Sequence, residues 1–110
     1  MKIYANGSCA VANAEVADSF RTRFLGLMGR EALPPEGGLL LKRCGSIHTC
    51  FMRFTIDVIY LSADFTVIDR ETIQPWKLGK AVKGAKHVLE LPEGAGSAFP
   101  PGCTVILREE

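Results

Sequence analysis

Val58-Ile59-Tyr60-Leu61-Ser62-Ala63-Asp64-Phe65-Thr66-Val67-Ile68-Asp69-Arg70-Glu71-Thr72-Ile73 is the stretch from which the architecture of this chain is most directly read. Val58–Leu61 is an apolar run of β-branched and aromatic residues, and Ser62-Ala63-Asp64 breaks it with turn formers. From Phe65 onward, Phe65, Val67 and Asp69 alternate against Thr66, Ile68 and Arg70, the period-2 signature of a strand with two unlike faces. Two such runs around a short polar break predict a β-hairpin. Upstream, Ser46–Leu61 is rich in strand formers throughout, but it is too long for one ordinary strand, so a break is expected near Arg53–Thr55. Downstream, Pro75 cannot donate to a ladder and ends the second arm. Trp76–Ala85 reads as a polar, glycine-containing loop. His87–Leu91 then alternates Val88 and Glu90 against Leu89 and Leu91, Pro92–Gly96 and Pro100-Pro101-Gly102 are turns, and Cys103–Leu107 is a last short strand.

The N-terminal half is less regular. Cys9–Val16 alternates loosely and reads as one strand. In Asp18–Gly29, Phe20, Phe24, Leu27 and Met28 fall on one helical face, with Asp18 or Ser19 as cap and Gly29 at the left-handed stop. Gly26 weakens that helix by about 1 kcal/mol relative to Ala. Pro34-Pro35-Glu36-Gly37-Gly38 is a turn, and Leu39-Leu40-Leu41 is a short strand buried on both faces. The sum is a mainly β chain: a single domain over residues 1–110, a compact β-sandwich or small barrel of about seven short strands with one short helix.

Composition narrows the class. With 47% apolar and 23% charged residues the chain is an ordinary globular sequence, neither disordered nor low in complexity. Thirteen basic residues against twelve acidic give a net charge of +1, so nucleic acid is not an expected partner. Lys77, Lys80, Lys83 and Lys86 do recur beside Trp76, which reads as a solvated loop or, less simply, as a phosphate-contacting surface. No apolar run approaches membrane length, and Asn6, Asn13, Glu15 and Asp18 interrupt the start, so neither a span nor a signal peptide is expected and the location reads as cytoplasmic. Four cysteines stand at 9, 44, 50 and 103 without Cys-x-x-Cys spacing and are expected to be reduced. No phosphate loop or Gly-x-Gly-x-x-Gly follows a strand, so no cofactor is expected.

Several of these segments together resemble domain-of-unknown-function family 192. They are Arg23–Arg30, Ile47–Val58, Pro75-Trp76, Gly84–Lys86 and Val88–Pro92, with Met52-Arg53-x-x-Ile56-Asp57 before an apolar strand the most specific. The chain has Thr55 where the family usually has Pro, Phe65 after Asp64 where it usually has Gly, and Cys103 after Gly102 where it often has Asp. The resemblance covers nearly the whole chain and implies a mostly β domain with a short helix; it implies no particular activity.

The chemistry-bearing residues allow more than one reading. If Ser46–Phe54 is a strand, Cys44, His48 and Cys50 share a face, a ligand set of the type that holds zinc, although no fourth ligand is evident. Cys50 with His48 or His87 is a possible nucleophile pair, but side chains two apart on one strand stand about 7 Å apart. Asp57 is expected to be a buried acid satisfied by main-chain N–H groups, or the orienter of a basic partner. If Arg23, His48, Arg53 and Asp57 converge on one mouth, they form a polar pocket for an anion- or sugar-sized ligand. The leading expectation is therefore a non-enzymatic binding module with those four residues as its ligand-binding set. The alternatives are a small enzyme using His48 or Asp57 as general base, and a protein-interaction domain using an exposed sheet edge.

Overall fold

The hairpin forms as β5 (Ile56–Leu61) and β6 (Val67–Ile73), paired antiparallel with Ile59 opposite Arg70 and Asp57 opposite Thr72. Its first arm begins two residues earlier than expected and its second two residues later. Phe65 adopts a left-handed conformation (φ 63°) and donates its N–H to Ser62 O, so it belongs to the turn. The computed structural model describes residues 1–19 and 27–109. Arg23 and most of the helix expected over residues 20–28 lie outside the described residues. Gly29 takes the left-handed conformation (φ 78°).

The remaining described strands are β1 (Lys2–Ala5), β2 (Ser8–Val11), β3 (Asn13–Ala17), β4 (Gly37–Leu41), β7 (His87–Pro92) and β8 (Val105–Arg108), with a 3-10 turn at Ala95–Ala98. They make two sheets: a five-stranded one ordered β3-β4-β7-β5-β6, and a three-stranded one ordered β2-β1-β8. The architecture is thus mainly β and sandwich-like. β3 and β4 are parallel; every other strand pair is antiparallel.

Three expectations need correction. Cys9–Val16 is two strands: at Ala12 the chain leaves the small sheet and enters the large one, with Ala12 N–H and Asn13 N–H both donating to Glu36 O. β1 was not anticipated, although Asn6-Gly7 signals it. Both residues have positive φ (51° and 78°), as a two-residue hairpin turn requires, and Ala5 pairs with Ser8 across it. Ser46–Phe54 is not a strand but a loop whose sole ladder contact is an isolated bridge, His48 to Leu78. The row Cys44, His48, Cys50 therefore does not share a strand face, and no group of three or more His, Cys, Asp or Glu suited to a metal occurs among the described residues.

The large sheet is covered on both sides, which is why β5 is buried from end to end and reads as a continuous apolar run. One face carries Leu40, Ile59, Leu61, Leu89 and Leu91 against Ile3, Val11 and Val105 of the small sheet, with Phe99 filling one end. The other carries Leu39, Leu41, Ile56, Val58, Tyr60 and Val88 beneath Leu27, Leu33 and Met52. Each such side chain stabilises the fold by about 1.5–3 kcal/mol on leaving water. No helix among the described residues is long and apolar enough to cross a membrane.

Candidate functional site

Asp57 sits second in β5, opposite Thr72 of β6 and Leu91 of β7, so its side chain lies on the face shared with the small sheet, at the sheet's end. It is 7% exposed. Its Oδ1 accepts from Thr72 Oγ1 at 2.7 Å, and its Oδ2 accepts from Gly94 N–H at 2.9 Å and Gly96 N–H at 2.8 Å. Arg70, two residues before Thr72 on the same strand, donates from Nη1 to Gly96 O at 2.7 Å. The turn after β7 is therefore gripped through opposite polarities: a carboxylate takes its N–H groups and a guanidinium takes its carbonyl. Gly96 is required here for close approach, since a Cβ would stand 2.8 Å from Asp57 Oδ2.

This arrangement walls a polar groove. One hollow of about 450 Å³ is lined by Asp57, Arg70, Glu71, Thr72, Glu93 and the Gly94–Ser97 turn. A second, of about 430 Å³, shares Glu71, Thr72 and Glu93 and continues to Thr55, Gln74, Lys77 and Leu78. Glu71 is fixed in place: its Oε2 accepts from the buried Tyr60 hydroxyl at 2.5 Å and from Lys80 N–H at 2.8 Å. Burial, then the Glu71 carboxylate, holds the Tyr60 hydroxyl far above the ordinary phenol range, so it stays a donor. Lys80 Nζ pairs with Asp69 at 2.8 Å on the groove's flank.

His48 and Arg53 do not line either hollow. They stand on the loop 44–55, which is stitched to residues 74–79 through Thr49. Thr49 is fully buried; its hydroxyl donates to Gln74 O at 2.6 Å and accepts Lys77 N–H at 2.8 Å, while its carbonyl accepts Trp76 N–H at 2.9 Å. His48 is half-buried, and its Nδ1 accepts Cys50 N–H at 3.2 Å, so the neutral ring carries its proton on Nε2. Arg53 is exposed and lies 3.7 Å from Glu31. The structure thus brings Asp57 to one part of the groove, His48 and Arg53 to the loop behind Leu78 and Lys77, and leaves Arg23 outside the described residues.

Sequence reasoning missed three features. Arg70 carried no signal beyond its place in the alternation. Phe51 and Trp76 both sit in left-handed backbone (φ 65° and 64°), which costs about 1–2 kcal/mol each for a bulky residue, and their rings meet at 4.6 Å. Glu90 is 4% exposed in the centre of the large sheet, between Leu39 and Val58. Its Oε2 has no hydrogen-bond partner among the described residues, and burial pushes the acid up to about 7 although the nearby Arg30 charge opposes the shift. A lone acid in an otherwise apolar strand was the available signal. His87 lies under the turn of the hairpin, its ring stacked on Phe65 at 4.3 Å, its Nδ1 accepting Arg43 N–H, and burial lowers its basicity.

The comparisons with known proteins agree on one family. The DUF192 family model, described as "Uncharacterized ACR", matches residues 1–100. A UPF0127 protein of Pyrococcus horikoshii is 38% identical over 89 residues, covering 78% of this chain and 77% of that one. A UPF0127 protein of Pyrococcus furiosus is 38% identical over 85 residues, covering 71% and 70%. The fold is shared with a crystal structure of a protein of unknown function from Novosphingobium aromaticivorans, at a TM-score of 0.82 and 20% identity, covering 96% of this chain and 84% of that one. With the two-sheet architecture, the Ile-Asp start of β5 and these matches in hand, the chain belongs to the DUF192 family, whose curated relatives carry the name UPF0127.

Proposed function

We propose that the protein is a non-enzymatic binding module that takes a small polar ligand of sugar size in the groove between β6 and the Gly94–Ser97 turn. The observation that carries this reading is the pair of adjoining hollows sharing Glu71, Thr72 and Glu93, of a combined size suited to a monosaccharide or a short polyol. Glu71, Glu93, Gln74 and the hydroxyls of Thr55 and Thr72 offer acceptors and donors for ring hydroxyls. Asp57 acts as the orienter of the wall, through its hydrogen bonds to Thr72, Gly94 and Gly96. An acid-lined groove favours a neutral polyhydroxyl ligand over a free anion.

The same geometry weighs against Asp57 as a general base. Its two oxygens already accept three hydrogen bonds from donors fixed by the fold, which suits holding a turn rather than taking a proton. Four cysteines free of disulfides are consistent with a cytoplasmic location. The test is an amide-resolved NMR titration with neutral pentoses and hexoses. Saturable shifts at Thr72, Gln74, Gly94 and Gly96, lost in Glu93→Ala, are expected. Shifts confined to other surfaces, or none at any sugar, would remove the reading.

A further inference from the structure

The groove has one wall that is fastened from inside the core. Val58 and Tyr60 lie on the sheet face turned away from the small sheet, and Glu71 stands opposite Val58 on β6. Tyr60 itself stands opposite Asp69, so Glu71 is its diagonal neighbour, a separation that only a long side chain spans. Tyr60 spans it from full burial, and its hydroxyl donates to Glu71 Oε2 at 2.5 Å. A buried tyrosine needs a partner for its hydroxyl. Here the partner is a half-buried residue that lines both hollows.

A glycine makes the reach possible. At Gly79 a Cβ would stand 2.5 Å from the Tyr60 hydroxyl and 3.0 Å from Ile47 Cγ1, so a side chain there would displace the ring or the loop. Gly79 N–H donates to Ile47 O at 2.9 Å, and the next residue, Lys80, donates its own N–H to Glu71 Oε2 at 2.8 Å. Lys80 Nζ closes the same loop onto Asp69 at 2.8 Å. Both donors therefore meet on one oxygen of Glu71, and Oε1 accepts no hydrogen bond among the described residues. A glutamate at a surface ordinarily samples several rotamers. This one is held by a core hydroxyl and a main-chain amide, with one acceptor atom left over. A fixed acceptor binds more tightly than a mobile one, because its rotamer freedom is lost before the ligand arrives. We propose, on the reading of the groove as a site for a sugar-sized ligand, that Glu71 Oε1 is the acceptor for a ligand hydroxyl and that Tyr60, which never touches the ligand, is the residue that positions it.

Two conservative variants test the two roles. Tyr60→Phe keeps the ring and removes only the hydroxyl. Glu71→Gln keeps the volume and reverses one polarity: the Lys80 N–H can only donate, so the amide oxygen stays where Oε2 was and an NH2 group replaces Oε1. The probes are D-glucose, D-galactose, D-mannose and D-ribose, each titrated against the protein by amide NMR. The tightest-binding of these should lose at least about tenfold in affinity with Glu71→Gln, and about three- to tenfold with Tyr60→Phe. The double variant should bind no more weakly than Glu71→Gln, because Tyr60 acts only through the carboxylate. A tyrosine that merely supports the fold would instead add its loss to that of Glu71→Gln. Undiminished binding by either single variant, or additive losses in the double one, would overturn the assignment and leave the reading of the groove in place. No saturable shift of the wild-type protein with any of these sugars would overturn both.

Discussion

Asp57 and Glu90 are both buried carboxylic acids on neighbouring central strands of one sheet, and they point to opposite faces. Asp57 is surrounded by donors: one hydroxyl and two main-chain N–H groups. Glu90 faces Leu39, Val58 and the apolar cover, with one oxygen unpartnered among the described residues. Depth alone therefore does not set the character of a buried acid. The supply of donors does: the first acid fastens a turn to the sheet, whereas the second is driven toward its neutral form because, among the described residues, the Arg30 charge offsets only part of the loss of water.

The comparison breaks most readily at Asp57. Asp57→Ala strands three donors in the interior and should destabilise the protein by about 4 kcal/mol in urea unfolding. A loss below about 1 kcal/mol would mean that the turn after β7 is held by Arg70 and packing instead. At Glu90 the expected effect is one of pH. The acid titrates near its ordinary value when unfolded and at about 7 when folded, so its protonated form favours the fold. Its contribution is fully present below about pH 4.5 and declines as pH rises, levelling off above about 7. The difference in stability between wild type and Glu90→Gln should swing by about 3 kcal/mol across that window, in favour of Gln at high pH. A flat difference would show that an unseen partner stabilises the carboxylate.

Smaller effects sharpen the contrast. Thr49→Val removes a neutral hub whose hydroxyl serves Gln74 and Lys77, so about 2 kcal/mol should be lost, with a red shift of Trp76 emission as the two loops part. Arg30 forms a two-pronged pair with Glu15 at 2.7 and 3.1 Å on the surface, which costs well under about 1 kcal/mol to remove. Arg30→Met should nonetheless raise the Glu90 midpoint in a pH titration, because its charge is what opposes that acid's neutralisation.

The parts of the fold legible in the sequence were those where one physical signal acted alone. The hairpin β5–β6 and strand β7 announce themselves by alternation and turn residues, and β4 by three leucines after Gly37-Gly38. Ser46–Phe54 misled because strand-forming side chains occur there for another purpose: Ile47 and Met52 cover the sheet, and Thr49 pins a loop. The split at Ala12 follows from where Glu36 arrives, which no local pattern encodes. Asp57 was legible as an acid in search of main-chain donors, but not that those donors would be Gly94 and Gly96, nearly forty residues on. The Phe51–Trp76 contact is likewise a product of tertiary pairing.

The small sheet joins the two extremes of the described chain: β1 pairs with β2 on one side and with β8 on the other. During synthesis the large sheet can assemble once β7 has emerged, yet Leu40, Ile59, Leu89 and Leu91 stay without their full cover until residues 105–108 leave the ribosome. A nascent chain halted before that point presents a finished sheet with one greasy side, the form most open to chaperone capture or to pairing with another unfinished copy.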